Sequence, residues 1–363
     1  MFFTYDLLYW TVTSPTNTVI GDVGSEGTIV RGGIAVDLVN SLDTGYMDHR
    51  FHSGHRFEFG NSDGSCGWLA NVSFGQQSDN LETTGVSFIP SDGTFPNQFL
   101  AGWVDENNDG FDDDLDFDNF FGRDGEDTGT PDGLGGFILP LDGTPDTTAA
   151  TDFDDLRYFP ALFDTFSVRN TVTVTNFELM RLNRNGSFEW QYGFRYFDFK
   201  ERFALDGTGG TLDELHSVTQ FDNQIIGLQV GGRYVITRPV GTLSIEGRFT
   251  AGANLKDARL TGTLATNSVL GAPNGPVNLG PQSFNRRIAD QEFVPMGELR
   301  VTYTFPISCN SAIRLGYTGL IADGIGRASE AMVYQLPALG LNGAGNDGTV
   351  MINSITAGFE FRR

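Results

Sequence analysis

Residues 187–203 read SFEWQYGFRYFDFKERF. Phe188, Trp190, Tyr192, Phe194 and Tyr196 take every second position, with Glu189, Gln191 and Arg195 in the gaps. Successive side chains of an extended strand point to opposite faces, so the stretch presents one aromatic surface and one polar surface carrying both charge signs. In a soluble β-sandwich the apolar face would meet a second sheet and hold mainly branched aliphatics, and a stripe of aromatics opposed by paired charges fits that core poorly. A membrane barrel asks for apolar side chains outward toward lipid, rings at the headgroup level and an interior that tolerates polar groups. Phe188 to Tyr196 covers most of the ~9 to 11 residues that a tilted strand needs to cross the hydrocarbon.

The same alternation recurs along the chain. In 242–256, TLSIEGRFTAGANLK, Leu243, Ile245, Phe249, Ala251, Ala253 and Leu255 oppose Ser244, Glu246, Arg248, Thr250, Asn254 and Lys256. ELRVTYTF (298–305) and IRLGYTG (313–319) repeat it, and 51–59, 66–76, 225–236 and 351–361 follow more loosely. Residues 168–182 change phase near Asn176, as a bulge or a membrane exit would make them do. Short breaks near 60–65, 183–187, 237–241 and 306–311 separate these segments from one side. Long breaks at 13–47, 78–163, 205–217, 259–287 and 324–348 separate them from the other, the pattern of periplasmic turns and extracellular loops.

The expected fold is therefore an all-β, closed antiparallel transmembrane β-barrel, a single domain over residues 1–363 with an acidic loop insertion at 78–163. Strands are expected at about 2–12, 49–60, 65–77, 164–183, 187–204, 217–237, 241–258, 288–306, 310–323 and 349–362, ten in all. An even number puts both termini on the periplasmic side. Residues 27–39, TIVRGGIAVDLVN, either add a hairpin and make twelve strands or form a short plug helix in the first loop.

Composition agrees with this reading. Gly 47, Phe 31 and Tyr 10 stand against only 23 Lys plus Arg, and no run of 18 apolar residues is present. Alternation hides a barrel's membrane signal from any averaging window, so hydropathy does not exclude a membrane. The opening MFFTYDLLYW reads as strand, without a basic start or a small-residue cleavage site, so a signal peptide is not visible. Cys66 and Cys309 are too few for a disulfide scaffold or a zinc finger, and two unbridged thiols are expected. The net charge of -23 excludes nucleic acid as a partner. Residues 103–155 hold 17 acids and one base, Arg123, or -16, which leaves -7 for the rest.

Several segments resemble the beta-barrel porin-7 family of bacterial outer-membrane proteins: EWQYGFRYFDFKE (189–201), FDNQIIGLQVGGRY (221–234), LSIEGRFTAGANL (243–255), FVPMGELRVTYTF (293–305) and IRLGYTGLIADGIGRASE (313–330). GHRFEFG (54–60) and YDLLYW (5–10) share the likeness. The resemblance covers most of the second half and scattered parts of the first. It implies a bacterial outer-membrane barrel and carries over no catalytic residue.

With the polar faces turned inward, the lumen receives Arg56, Glu58, Glu189, Arg195, Arg233, Glu246, Arg248, Glu298, Arg300, Arg314 and Glu360. About eight strands are just filled by their own side chains and open channels belong to about 16 or more, so ten leave little room. Arg forks and carboxylates would then cross-link the wall through the lumen, and the competing reading of the same residues is a charged pore constriction.

The loop 105–116, DENNDGFDDDLD, has the spacing of a calcium loop, with Asp105, Asn107, Asp109, the Phe111 carbonyl, Asp113 and Asp116 as oxygen donors around a mid-loop glycine, Gly110. Its twelfth position is Asp instead of Glu, and a solvated acidic loop is the alternative. Ca2+ is the cofactor expected there. His49 and His55 share a strand face and His52 lies opposite, which argues against three-point metal ligation. Glu214 and His216 form half of a hydrolytic pair, so an outer-membrane protease is the enzymatic alternative, although no enzyme is expected. The expected protein is a porin-like or structural envelope component in the bacterial outer membrane, or a loop-mediated surface binder. Its expected partners are outer-membrane lipid and small solutes or cations.

Overall fold

In the computed structural model the expected strands pair into one closed antiparallel barrel of ten. The structure describes residues 1–16, 19–20, 27–31, 34–38, 42–47, 50–62, 64–88, 161–208, 214–264, 282–333, 339–342 and 347–363. The barrel strands are β1 (Phe2–Val12), β2 (His52–Ser62), β3 (Cys66–Phe88), β4 (Ala161–Asn185) and β5 (Phe188–Thr208). They continue as β6 (Glu214–Arg238), β7 (Gly241–Leu264), β8 (Gln282–Pro306), β9 (Ser311–Gly326) and β10 (Asp347–Arg362). Each pairs with its neighbours in the chain, and β1 closes the ring by pairing with both β2 and β10. The ring is closed at the level of the belt, as lipid requires because only a closed sheet or a helix satisfies every backbone group there; above it, β3 beyond Gly75 has no ladder partner on β2 and β8 before Met296 none on β9.

Faces separate as the alternation requires. Leu228 is 73% exposed, Phe293 65% and Trp190 61%, on the outer wall, whereas Gln229, Glu298 and Arg195 on the same strands are buried. Large apolar side chains exposed in this number would be untenable in water, and they form the belt that a bilayer covers. The chain is therefore an outer-membrane-type β-barrel, with the short turns and both termini at one end. No helix among the described residues is long and apolar enough to cross a membrane, which leaves crossing to the strands.

Three differences from the sequence expectation have a common physical basis or a local one. First, the strands run past the belt: β4, β6 and β8 have 25 residues each, against the ~9 to 11 that crossing requires. The stretches 78–88, 205–208, 214–217, 259–264 and 282–287, expected in long breaks, belong to the sheet. Second, the phase change near Asn176 is not a bulge. The β3–β4 register runs without a shift from Cys66↔Asn183 through Ser73↔Asn176 to Thr84↔Thr165. What changes is chemistry: Phe177 and Leu179 face outward, but Phe166, Val168 and Val172 are buried inside, because above the belt water is outside and the apolar side turns to the lumen. Third, the described residues within 27–39 add no barrel strand and no helix. Gly27–Arg31 pairs with Ile34–Leu38 in a separate two-stranded sheet, so the twelve-strand alternative falls.

At the top of β9 the register with β10 shifts between Ala322 and Ile325, and Gly324 there has φ +78°, a conformation that favours glycine. The kink turns the chain inward into a single helical turn, α1 (Ala328–Ala331), whose Ala328 and Ala331 are fully buried.

Candidate functional site: a lumen closed in layers

A small apolar floor lies at the short-turn end, where Leu69, Met180 and Leu182 pack with Phe2. Above it the inward polar positions form a continuous ion network. Arg300 on β8 donates to Glu58 on β2 (3.0 Å), to Glu178 on β4 (3.3 Å) and to its own strand neighbour Glu298. Arg195 on β5 donates to Glu298 at 2.7 Å, and Arg248 on β7 binds Glu178 and Glu246. Arg314 on β9 reaches Glu58 at 3.1 Å, and Arg56 pairs with Asp6 at 2.8 Å. Most of these partners sit on strands that are not neighbours in the ring, so the bonds cross the lumen. The rest are local: Glu246 with Arg248 and Glu298 with Arg300 share a strand face at two-residue spacing, and Asp6 and Arg56 are opposed on the neighbouring strands β1 and β2.

Of the residues expected in the lumen, Arg56, Glu58, Glu189, Arg195, Glu246, Arg248, Glu298, Arg300 and Glu360 are buried, and Arg233 and Arg314 are half-buried. Arg233 binds Glu189 at 2.7 Å near the short-turn end, and Glu360 binds Arg362, which is mostly exposed. Sequence reading missed Asp6 and Glu178, the second of which is fully buried at the meeting point of Arg248, Arg300, Asn176 and Asn71. The signal for both was present in parity, because Asp6 lies between outward Tyr5 and Leu7 and Glu178 between outward Phe177 and Leu179. Charges this deep are tolerable only when paired and hydrogen-bonded.

An apolar layer covers the ions: Trp10, Phe197, Phe199, Val294, Met296 and Leu320 among others. Trp10 lies so close to β3 that a Cβ on Gly75 would come within 2.4 Å of the indole nitrogen, so only glycine admits the ring there. Between this layer and the ions is a cavity of about 70 Å³, lined by Trp10, Phe197 and Leu320 on one side and Arg56, Arg195 and Arg300 on the other. Such a space holds a few waters, each needing about 10 to 15 Å³ of this kind of volume.

Higher still, a polar latch fastens the inturned segment. Glu201, with no exposed surface, accepts from Arg327 Nε (3.1 Å) and Nη2 (3.0 Å), from the Ala328 amide (2.9 Å) and from Asn170 (2.8 Å). Arg327 also donates to the Thr13 carbonyl at 2.6 Å. Asn223 clasps Gly326 through both its donor and its acceptor, and Asn254 holds the Gly324 carbonyl. A second apolar layer then seals the mouth. Phe166, Phe203, Leu205 and Leu260 from the wall pack with Met47, Ala328, Ala331 and Met332 from the connecting segments. Tyr46 in this region has its phenol pushed well above its usual range, first by burial and then by Asp79 and Glu201, so it stays protonated.

The other sequence candidates fare differently. The calcium-loop residues Asp105, Asn107, Asp109, Phe111, Asp113 and Asp116 lie outside the described residues, as does His49. His52 and His55 occupy opposite faces, with the Tyr5 hydroxyl 3.0 Å from His55 Nδ1, and no metal-ligating group of side chains is found among the described residues. His216 pairs with Asp206 across β5 and β6, not with Glu214, and both side chains are about half exposed on the outer wall. Among the described residues no hydroxyl or thiol is hydrogen-bonded to His216. Cys66 and Cys309, at the short-turn end, are not bridged to each other.

No family model matches the chain, so the porin-7 likeness gains no support from that comparison, and no curated protein matches it. Solved structures similar to it include the outer membrane protease OmpT from Escherichia coli, at 10% identity over 99% of this chain and 95% of that one with a TM-score of 0.38. The translocator domain of the autotransporter NalP from Neisseria meningitidis follows, at 10% identity over 100% and 88% with a TM-score of 0.35. The Ralstonia pickettii toluene transporter TbuX gives 8% identity over 100% and 89% with a TM-score of 0.26. At these values the barrel assignment stands on strand pairing, and not on the likeness.

Proposed function

We propose that the chain is a non-conducting barrel of the bacterial outer membrane, a wall-spanning anchor that holds long extracellular segments at the cell surface for binding. The carrying observation is the lumen: ion pairs such as Arg300–Glu58 and Arg195–Glu298 span it, with an apolar layer on either side of the Glu201–Arg327 latch above. A pore needs ions to enter and leave, whereas paired charges under a hydrophobic cover offer neither a water path nor an unneutralised ring. The porin-7 likeness accounts for the wall pattern, and this reading separates that wall from a porin's conductance. Catalysis forms no part of it, because His216 and Asp206 lie on the outer wall away from the sealed lumen.

Reconstitution into a planar bilayer tests the proposal. The expected record shows no stable openings, and large, long-lived conductance steps from the folded protein would reject it.

A further inference from the structure

Strand register sorts the outer wall of β5–β8 into levels. Tyr196, Ile226, Ala253 and Phe293 pair across these strands in one apolar row. The next outward row is Asp198, Gln224, Leu255 and Gln291, and the one above it is Lys200, Asp222, Asp257 and Ala289. The row after that is Arg202, Gln220, Arg259 and Arg287. The row climbs around the wall because the strands tilt: counted from the short turns it lies 14 residues up β5 (Phe188 to Arg202) but 19 up β8 (Pro306 to Arg287), so Arg259 and Arg287 sit side by side and Arg202 lies lower, two strands from Arg259. On β7 the last large apolar side chain facing outward is Leu255, four residues below Arg259, which is roughly 13 Å of chain or about 10 Å of height at the usual barrel tilt. Arginine side chains on that level hang at the height of lipid headgroups.

The arrangement is costly unless an anion uses it. Arg259 and Arg287 are directly opposed cross-strand neighbours, and like charges so placed repel. Asp257, one level below, answers both: Arg287 Nε and Nη2 donate to it at 2.8 and 3.0 Å, and Arg259 Nε at 3.1 Å. One carboxylate therefore aligns two guanidiniums and neutralises only one, and the Nη1 groups of both make no bond to Asp257. Arg202 is exposed on the outer wall. Lys200 is taken by Asp198 at 3.3 Å, and Asp222 accepts from Gln220. Counting the two upper levels with Asp198, four cations face three carboxylates, so the patch is positive by one on a chain whose net charge is -23.

We infer that this arginine row binds the phosphate groups of lipid headgroups in the leaflet that meets the upper edge of the belt. A guanidinium pair held side by side suits the forked, charge-assisted contact that phosphate oxygens accept.

The test uses the full chain refolded into phosphatidylcholine vesicles doped with a bis-phosphorylated glucosamine lipid, or with the same lipid stripped of both phosphates. Glycolipid retained per protein after extraction into neutral detergent is the readout. Only the phosphorylated lipid is retained by the native chain, and R202Q/R259Q/R287Q weakens retention by about fivefold for each arginine lost. D257N strengthens it, because two guanidiniums are released from their internal acceptor, whereas R181Q/R238Q near the short turns changes nothing. Equal retention by the triple variant, or equal retention of the stripped lipid, overturns the inference. So does calorimetry in which inorganic phosphate alone binds as tightly as the lipid, which would make the ligand the free anion. If the triple variant lacks the gel mobility shift of a closed barrel, R287Q alone carries the same test. Conductance plays no part in the readout, so this result stands apart from the sealed-lumen proposal.

Discussion

Glu178→Gln should unravel the lumen network without changing its volume. The native carboxylate is completely buried. One oxygen accepts from Asn176 Nδ2 (3.0 Å) and Arg300 Nη2 (3.3 Å), with Arg195 at 3.7 Å, and the other accepts from Arg248 and from Asn71 (3.4 Å). An amide in its place turns a hydrogen-bond donor toward a guanidinium and leaves Arg195, Arg248 and Arg300 to share Glu58, Glu246 and Glu298. Removing one partner of a buried pair costs about 3 to 5 kcal/mol, and the three remaining acids hold the loss near the lower end, about 3 kcal/mol. Urea unfolding in short-chain phosphatidylcholine vesicles, read by the gel mobility difference between folded and unfolded barrel, measures it at constant slope. The double variant Glu178→Gln with Arg248→Met should lose less than the sum of the singles, since the pair is removed together. A single-variant loss below about 1 kcal/mol, with additive singles, would refute a network that holds the wall through the lumen.

Arg327→Met leaves the Glu201 carboxylate with Asn170 and the Ala328 amide alone, so the segment between β9 and β10 should be cleaved faster by added protease while the barrel keeps its gel shift; an unchanged cleavage rate would show that the latch holds nothing. The Asp257 carboxyl is held down at about 2 by hydrogen bonds from Arg287 and then Arg259, below its ordinary 3.8. Its contribution is therefore complete above about pH 4 and lost as pH falls through about 2, a step that D257N should erase from an acid titration of stability. A peptide of residues 100–135 should bind millimolar Ca2+ in calorimetry through Asp105, Asn107, Asp109, Phe111, Asp113 and Asp116; no heat at that concentration removes the site.

The barrel and its strand count were legible because the belt imposes strict alternation: Trp190, Tyr192 and Phe194 outward against Glu189, Gln191 and Arg195 inward leave one reading. Above the belt the rule inverts. On β5 the outward positions become Asp198, Lys200 and Arg202, while Phe197, Phe199 and Phe203 fill the lumen. Followed along one apolar face, the strand ends where only the solvent changes, which is why alternation alone places loops at the upper strands. The inward charges could be found by parity alone, but their partners could not, since Arg300 meets Glu58 over a sequence separation of 242. The latch was invisible for the same reason: Glu201 and Arg327 are 126 residues apart, and nothing local marks either as buried.

The seam between β1 and β10 sets the order of biogenesis. Phe2 pairs with Arg362 and Val12 with Ile352, so the first strand of the ring waits for its tenth before the cylinder can shut. Until then both margins carry open amides that acyl chains cannot accommodate. Closure therefore waits on β10, and a chain truncated before Asp347 would keep that seam open.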